Sequence, residues 1–228
     1  MLASTTTYAL LGMLASRPWT GYELTQQVRR SLRFVWPTSE GHLYREQRRL
    51  VELGWATVEV EAAGARSRKR YAITAAGRGA LQGWLATGPE EPHLQVEGVL
   101  RAFYGDSGTV QDLSRSLVAT VEAARRMQDE LVGYAREYLA DDGPLALLGS
   151  AEGGPGDRRT LHGRPVFPER LPVVVLAVDA TTRLLAALQD FGDEAVAELR
   201  DWPSTTDPEL AAVTRARLLA IVARSEGR

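Results

Sequence analysis

The chain reads as mainly α with a small β-wing: an N-terminal winged helix-turn-helix followed by an α-helical dimerisation domain. Three observations predict this. From Tyr8 to Leu81 the pattern runs helix, helix, helix, strand, strand, helix. Arginines gather in the third of those helices and at the turn between the strands, the two places where such a fold meets a duplex. From Val110 onward, apolar residues recur every seven positions, as in long helices that pack on other helices. Residues 1–88 are therefore read as the DNA-binding domain. Residues 89–228 are read as a helical dimerisation and effector-sensing domain, with a mobile loop at about 141–168.

In the first helix Thr5 to Thr7 offer capping hydroxyls, and Leu10, Leu11 and Leu14 form one apolar stripe. Arg17-Pro18 ends it, because proline disfavours helical geometry in the residue before it. Gly21 opens a second helix with Leu24, Val28 and Leu32 on one face, and Trp36-Pro37 breaks it. Thr38 or Ser39 caps a third helix that runs to about Leu53 with Leu43, Leu50 and Leu53 inward and Gly54 as its stop. Ala56 to Glu61 alternates at period two and predicts a strand, Ala62 to Arg68 a turn, and Lys69 to Ile73 the returning strand. Thr74 caps a fourth helix, and Gly88, Pro89 and Pro92 mark a linker.

In the second half, Val110, Leu117, Ala124, Leu131 and Tyr138 form one seven-residue series and Leu113, Thr120, Met127 and Tyr134 another. Leu171, Val178, Leu185 and Leu199, with Val174, Leu188, Ala195 and Trp202, predict a second long helix. Asp207-Pro208 starts a final helix through Leu218 and Ile221. The seam assigns Leu113, Leu117, Val121, Met127, Leu131, Tyr134, Leu185 and Leu188 to a dimer interface, with packing of the two long helices within one chain as the competing use.

Composition narrows the function classes. The net charge of −2 is uninformative, but residues 1–86 hold 12 Lys+Arg against 6 Asp+Glu, and the remainder 15 against 23. Only the front half is suited to phosphate. There is no cysteine, which excludes disulfides and thiolate chemistry. His42, His93 and His162 are scattered, so neither a metal site nor any other cofactor is expected. Gly153-Gly154-Pro155-Gly156 lacks the Lys-Ser/Thr of a phosphate cradle. No catalytic constellation stands out, and an enzyme is not expected. No apolar run approaches the roughly 20 residues of a membrane span, and the cytoplasm is the expected compartment.

The segments Tyr8-Ala9-Leu10-Leu11-Gly12-Met13-Leu14, Gly21-Tyr22-Glu23-Leu24, Trp36-Pro37-Thr38-Ser39, Leu43-Tyr44, Arg48-Arg49-Leu50, Arg68-Lys69-Arg70-Tyr71 and Thr74-Ala75-Ala76-Gly77-Arg78 resemble the PadR family of bacterial transcriptional regulators. Leu100 to Asp106 resembles the opening of the helical domain in the longer branch of that family. The chain departs from the family pattern at Arg45, where proline is usual, and at Gln47, where an apolar residue is usual. The resemblance implies a dimeric repressor reading a pseudo-palindromic operator, with a contact to the DNA backbone through the Tyr44 hydroxyl. A small aromatic or drug-like effector is expected near Tyr8, Trp36, Trp84, Phe103 and Tyr104, with ordinary core packing the favoured use of each ring taken singly.

Base identity must be read by side chains that reach groove edges, whereas phosphates are met by Lys and Arg. Ser39, Glu40, His42, Arg45, Arg48 and Arg49 face outward on the third helix. Arg45 is assigned to a base edge, Arg48 or Arg49 to phosphate, and His42 to a base or to solvent. On the wing, Arg66, Arg68 and Lys69 are assigned to DNA; Arg68 and Arg70 share one face of the strand, Lys69 and Tyr71 the other. On an isolated helix the arginines would merely be solvated, with Glu46 and Glu52 as partners. The alternative function is a winged-helix protein-interaction module with an incidental basic surface.

Overall fold

The computed structural model describes residues 3–63, 66–148, 160–161 and 164–226, with the backbone alone at 61–63, 66, 160–161 and 164–165. It forms two compact units, one of Met1–Pro92 with Glu137–Val175 and the other of His93–Arg136 with Leu176–Arg228.

In the first unit α1 (Thr5–Leu14) is capped by Ser4, not by the threonines that follow it. Thr7 completes a reciprocal cap: its N–H donates to Ser4 Oγ at 3.2 Å, and its Oγ1 accepts from Ser4 N–H at 3.0 Å. α2 (Gly21–Leu32) is capped by Thr20, and α3 (Glu40–Glu52) by Ser39. Past α3 the chain turns at Gly54, whose φ of +68° is open to glycine at little cost. α4 (Ala75–Leu85) starts on Thr74. Leu10, Leu11, Leu14, Leu24, Val28, Leu43 and Leu50 form the fully buried centre on which the first three helices meet.

The sheet has three antiparallel strands in the order β1-β3-β2: β1 (Trp19–Thr20), β2 (Ala56–Ala63) and β3 (Arg66–Ile73). The ladder pairs Ala62 with Ser67 and Ala63 with Arg66, so the wing is longer than the Ala62 to Arg68 turn expected from sequence. Further along the ladder Glu59 pairs with Arg70, which sets opposite charges across from each other. Residues 64–65 at the tip lie outside the described residues.

The stretch expected to be a mobile loop at 141–168 contains short 3₁₀ turns at Pro144–Leu147 and Pro168–Arg170 and a two-residue hairpin, β4 (Thr160–Leu161) with β5 (Arg164–Pro165). Pro144 and Pro168 are buried, and Phe167 packs on Trp19 at a centroid distance of 6.1 Å. Residues 149–159, including the Gly153–Gly156 run, lie outside the described residues.

In the second unit α5 (Glu97–Phe103) leads to α6 (Val110–Leu139), which starts on a reciprocal cap between Thr109 and Asp112. Leu117, Ala124 and Leu131 of the heptad seam are buried, as is Val121. α7 (Leu171–Glu198) packs on α6 inside the unit: Gln189 Nε2 donates to Gln128 Oε1 at 2.5 Å, and Arg125 Nη2 lies 2.5 Å from Asp193 Oδ2. At Gly192 the approach is close enough that an added Cβ would fall 2.3 Å from Val121 Cγ2. Asp207 caps a 3₁₀ turn, Pro208–Leu210, ahead of α8 (Ala211–Glu226), which buries none of its residues.

One sequence expectation is corrected here. The helical stretch Pro168–Asp201 is long and apolar enough to span a membrane by length and composition, with a mean hydropathy of 1.8 in its best window. Polar residues such as Asp179 and Arg183, paired at 3.0 Å, break its apolar sequence into shorter runs. Much of its surface is exposed, including Val173, Leu176 and Leu184.

Candidate nucleic-acid interface

The inner side of α3 is fixed by Leu43, Gln47 and Leu50, all fully buried. Gln47 donates through Nε2 to the Gly21 carbonyl at 3.0 Å and to Thr25 Oγ1 at 2.9 Å, both on α2. Glu46 turns toward α1, where its Oε2 accepts the Ser4 hydroxyl at 3.0 Å and also the Thr7 hydroxyl. These polar contacts were not visible in the sequence, which paired Glu46 with arginines of its own helix. Arg29 of α2 is ion-paired with Glu40 in the first turn of α3. Its only sequence signal was opposite charge on either side of the Trp36-Pro37 break.

On the other side of α3, Tyr44, Arg45 and Arg48 are exposed, while His42 and Arg49 are half-buried. Ser39 is exposed, and its hydroxyl accepts the His42 N–H at 3.3 Å as the helix cap. Arg45 Nη2 lies 3.4 Å from His42 Nδ1, one turn back. Arg49 Nη1 lies 3.4 Å from Glu52, so this cation is locally paired, as the sequence allowed. Arg48 reaches the neighbourhood of Tyr71 on β3. Burial pushes the Tyr71 phenol above its ordinary value, and the Arg48 charge only partly offsets that.

On the wing, Lys69 stands across the ladder from Val60, whereas Arg68 stands across from Glu61 and Arg70 from Glu59. Arg68 and Lys69 are exposed. The Arg66 side chain lies outside the described residues. Glu23 at the start of α2 senses both Arg17 and Arg70. Burial raises its pKa, but hydrogen bonds from the Thr20 N–H and hydroxyl and the two arginines outweigh that, leaving it below the usual carboxylate range.

The residues assigned to a dimer interface divide in two. Leu117, Val121, Leu131 and Leu185 are buried within the single chain, and Leu113, Met127, Tyr134 and Leu188 are half-buried. Large apolar side chains that remain exposed include several on α7 (Val173, Leu176, Leu184) and α8 (Leu218, Leu219, Ile221).

Among the aromatics, Tyr8 stacks on Trp84 at 5.0 Å and 6° and lies 5.6 Å from Trp55. Trp36 Nε1 donates to Thr6 Oγ1 at 3.0 Å, and Phe103 and Tyr104 meet edge-on at 5.2 Å with both rings exposed. Among the described residues no group of His, Cys, Asp or Glu is arranged to hold a metal ion.

Residues 10–83 match the model of the transcriptional regulator PadR-like family. The negative transcriptional regulator PadR of Bacillus subtilis (strain 168) is 23% identical over 142 residues, which is 61% of this chain and 78% of that protein. The crystal structure of Bacillus subtilis PadR in complex with operator DNA is similar in fold, with a TM-score of 0.64 and 20% identity over 87% of this chain and 99% of that one. The same protein in complex with p-coumaric acid gives a TM-score of 0.60 and 18% identity, covering 87% of this chain and 100% of that one.

Proposed function

We propose that this chain, whose residues 10–83 match the model of the PadR-like family of transcriptional regulators, acts as a regulator of that kind and is a dimeric repressor. It reads a pseudo-palindromic operator with α3 and the wing, in the cytoplasm, and gives the operator up when a small aromatic effector binds. Transcriptional regulation is a non-enzymatic role.

The observation that carries this reading is the division of α3. Its polar inner residues are committed to α1 and α2, which leaves Tyr44, Arg45 and Arg48 exposed on one outer face. Arginine beside a duplex serves as a bidentate donor to guanine or as a phosphate partner. Lys69 adds a cation on the wing, and Arg68 and Arg66 extend the basic strand. His42, beside Arg45, and Ser39 at the helix start lie where an N-terminal turn enters the major groove.

A single winged helix makes few contacts, and two copies reading half-sites about 34–36 Å apart multiply them. The exposed apolar faces of α7 and α8 supply a surface for the second copy; Leu176→Glu with Leu184→Glu should then give monomers by light scattering. The relative that binds p-coumaric acid supports an aromatic effector. The effector acts by binding one arrangement of the dimer more tightly than the other.

The test is fluorescence anisotropy with the duplex upstream of the chain's own gene and a scrambled duplex, across a salt series. A preference of roughly a thousandfold, with a steep salt dependence, is expected. In Arg45→Ala/Arg48→Ala that preference should vanish while the dimer persists. If a genome-wide selection also yields no preferred duplex, the operator-reading role is wrong and a protein partner for the winged helix takes its place.

A further inference from the structure

We propose that Glu46 and Gln47 are positioning residues that set sequence discrimination by fixing the roll of α3, although neither reaches the DNA. This rests on the operator-reading role proposed above.

The two residues are adjacent and lie about 100° apart around the helix. Glu46 ties α3 to the N-terminus of α1, and Gln47 ties it to the start of α2. Each tie is closed. Ser4 and Thr7 cap each other while both hydroxyls donate to Glu46 Oε2. Both donors of the Gln47 amide are satisfied, and Thr25 in turn donates to the same Gly21 carbonyl at 2.9 Å. Gln47 is only 1% exposed, so any movement that breaks its bonds leaves buried polar groups unpaired.

Leucines alone would hold α3 against the core but would tolerate rotation, because apolar contact is non-directional whereas hydrogen bonds have narrow angular limits. Arg45 and Arg48 extend outward, at least roughly 6 Å from the helix axis, where a roll of about 10° moves them by about 1 Å. That distance separates a bidentate contact to a base edge from a poor one. Phosphate attraction is far less demanding in geometry, so the ties act on discrimination more than on total affinity.

The test compares an operator selected from random duplexes by the wild-type protein with a scrambled duplex. Glu46→Ala and Gln47→Leu should each lower the preference by at least about tenfold while leaving the salt slope within about one unit of wild type. Glu46→Gln, whose carbonyl oxygen still accepts both hydroxyls, should stay within about twofold. Thermal melting checks the fold. If Gln47→Leu does not fold, Thr25→Val, which removes only its hydroxyl partner, replaces it.

Unchanged preference in the folded Glu46→Ala and Gln47→Leu proteins overturns the proposal. So does Glu46→Gln losing as much as Glu46→Ala, because charge and not hydrogen bonding would then be responsible. A wild type that prefers no duplex overturns the operator reading, and the positioning role falls with it.

Discussion

Lys69 stands directly across the β2–β3 ladder from Val60, so the charge of this residue has no acidic cross-strand neighbour. Arg70 stands across from Glu59, which offsets its charge locally, and Arg68 pairs in register with Glu61. Lys69 also alternates onto the strand face of Tyr71, the residue that senses Arg48 and Tyr44 of α3. Lys69→Ala should therefore weaken DNA binding and lower the slope of log affinity against log salt by about one unit. Arg70→Ala should change the slope less and lower thermal stability, because Arg70 helps hold Glu23 ionised. Equal slope changes in the two variants would show that the wing does not distinguish its faces.

Arg48 and Arg49 are neighbours in sequence with different surroundings. Arg48 is exposed, while Arg49 is half-buried and paired with Glu52 at 3.4 Å. Arg48→Ala should cost about 1–3 kcal/mol of operator affinity if it meets a base edge, and less if it meets phosphate alone. Arg49→Ala should cost less than Arg48→Ala under either contact, since Arg49 must first leave Glu52. Anisotropy titrations of both variants at one salt concentration decide this, and a larger loss at Arg49 would reverse the assignment.

The helices were legible because their signals are local. Ser39, Leu43, Leu50 and Gly54 delimit α3 within its own span, and the seven-residue series marks α6 without reference to anything else. Strand β1 left no such trace, because its two residues, Trp19 and Thr20, find their strand partners in Tyr71 and Arg70, far along the chain. The same holds within the site. The exposed arginines follow from helical spacing, but nothing near Glu46 points to Ser4, and a missing apolar residue at position 47 does not reveal Thr25. Periodicity also predicts that Leu117 and Val121 are covered without saying by what. Here Gly192 of the chain's own α7 lies against Val121.

The carboxylate of Glu23 is held below its ordinary range. Its burial works against that, and the hydrogen bonds from Thr20, with Arg17 and Arg70, prevail. A carboxylate depressed on folding adds stability that is complete above the unfolded-state pKa of about 4.3 and is lost as pH falls through the folded value. Glu23→Gln should therefore flatten the acid side of the melting-temperature profile below about pH 4.3 and lower the plateau near neutrality. A variant profile parallel to wild type through the acid limb would mean that Glu23 is not linked to folding.

The packing of α6 on α7 makes a sharper demand. An alanine at position 192 would place its Cβ 2.3 Å from Val121 Cγ2, on a valine that is 3% exposed and has little room to turn. Exchanging glycine for alanine inside a helix normally favours the helix by up to about 1 kcal/mol. Overpacking a close contact costs about 1–3 kcal/mol, so the clash should dominate and Gly192→Ala should be less stable in urea. Val121→Ala alone should also destabilise by leaving a cavity. In the double variant the new methyl occupies the space that the valine vacates, and the two losses should partly cancel. Additive losses in that double-mutant cycle would show that α6 and α7 do not meet at this pair.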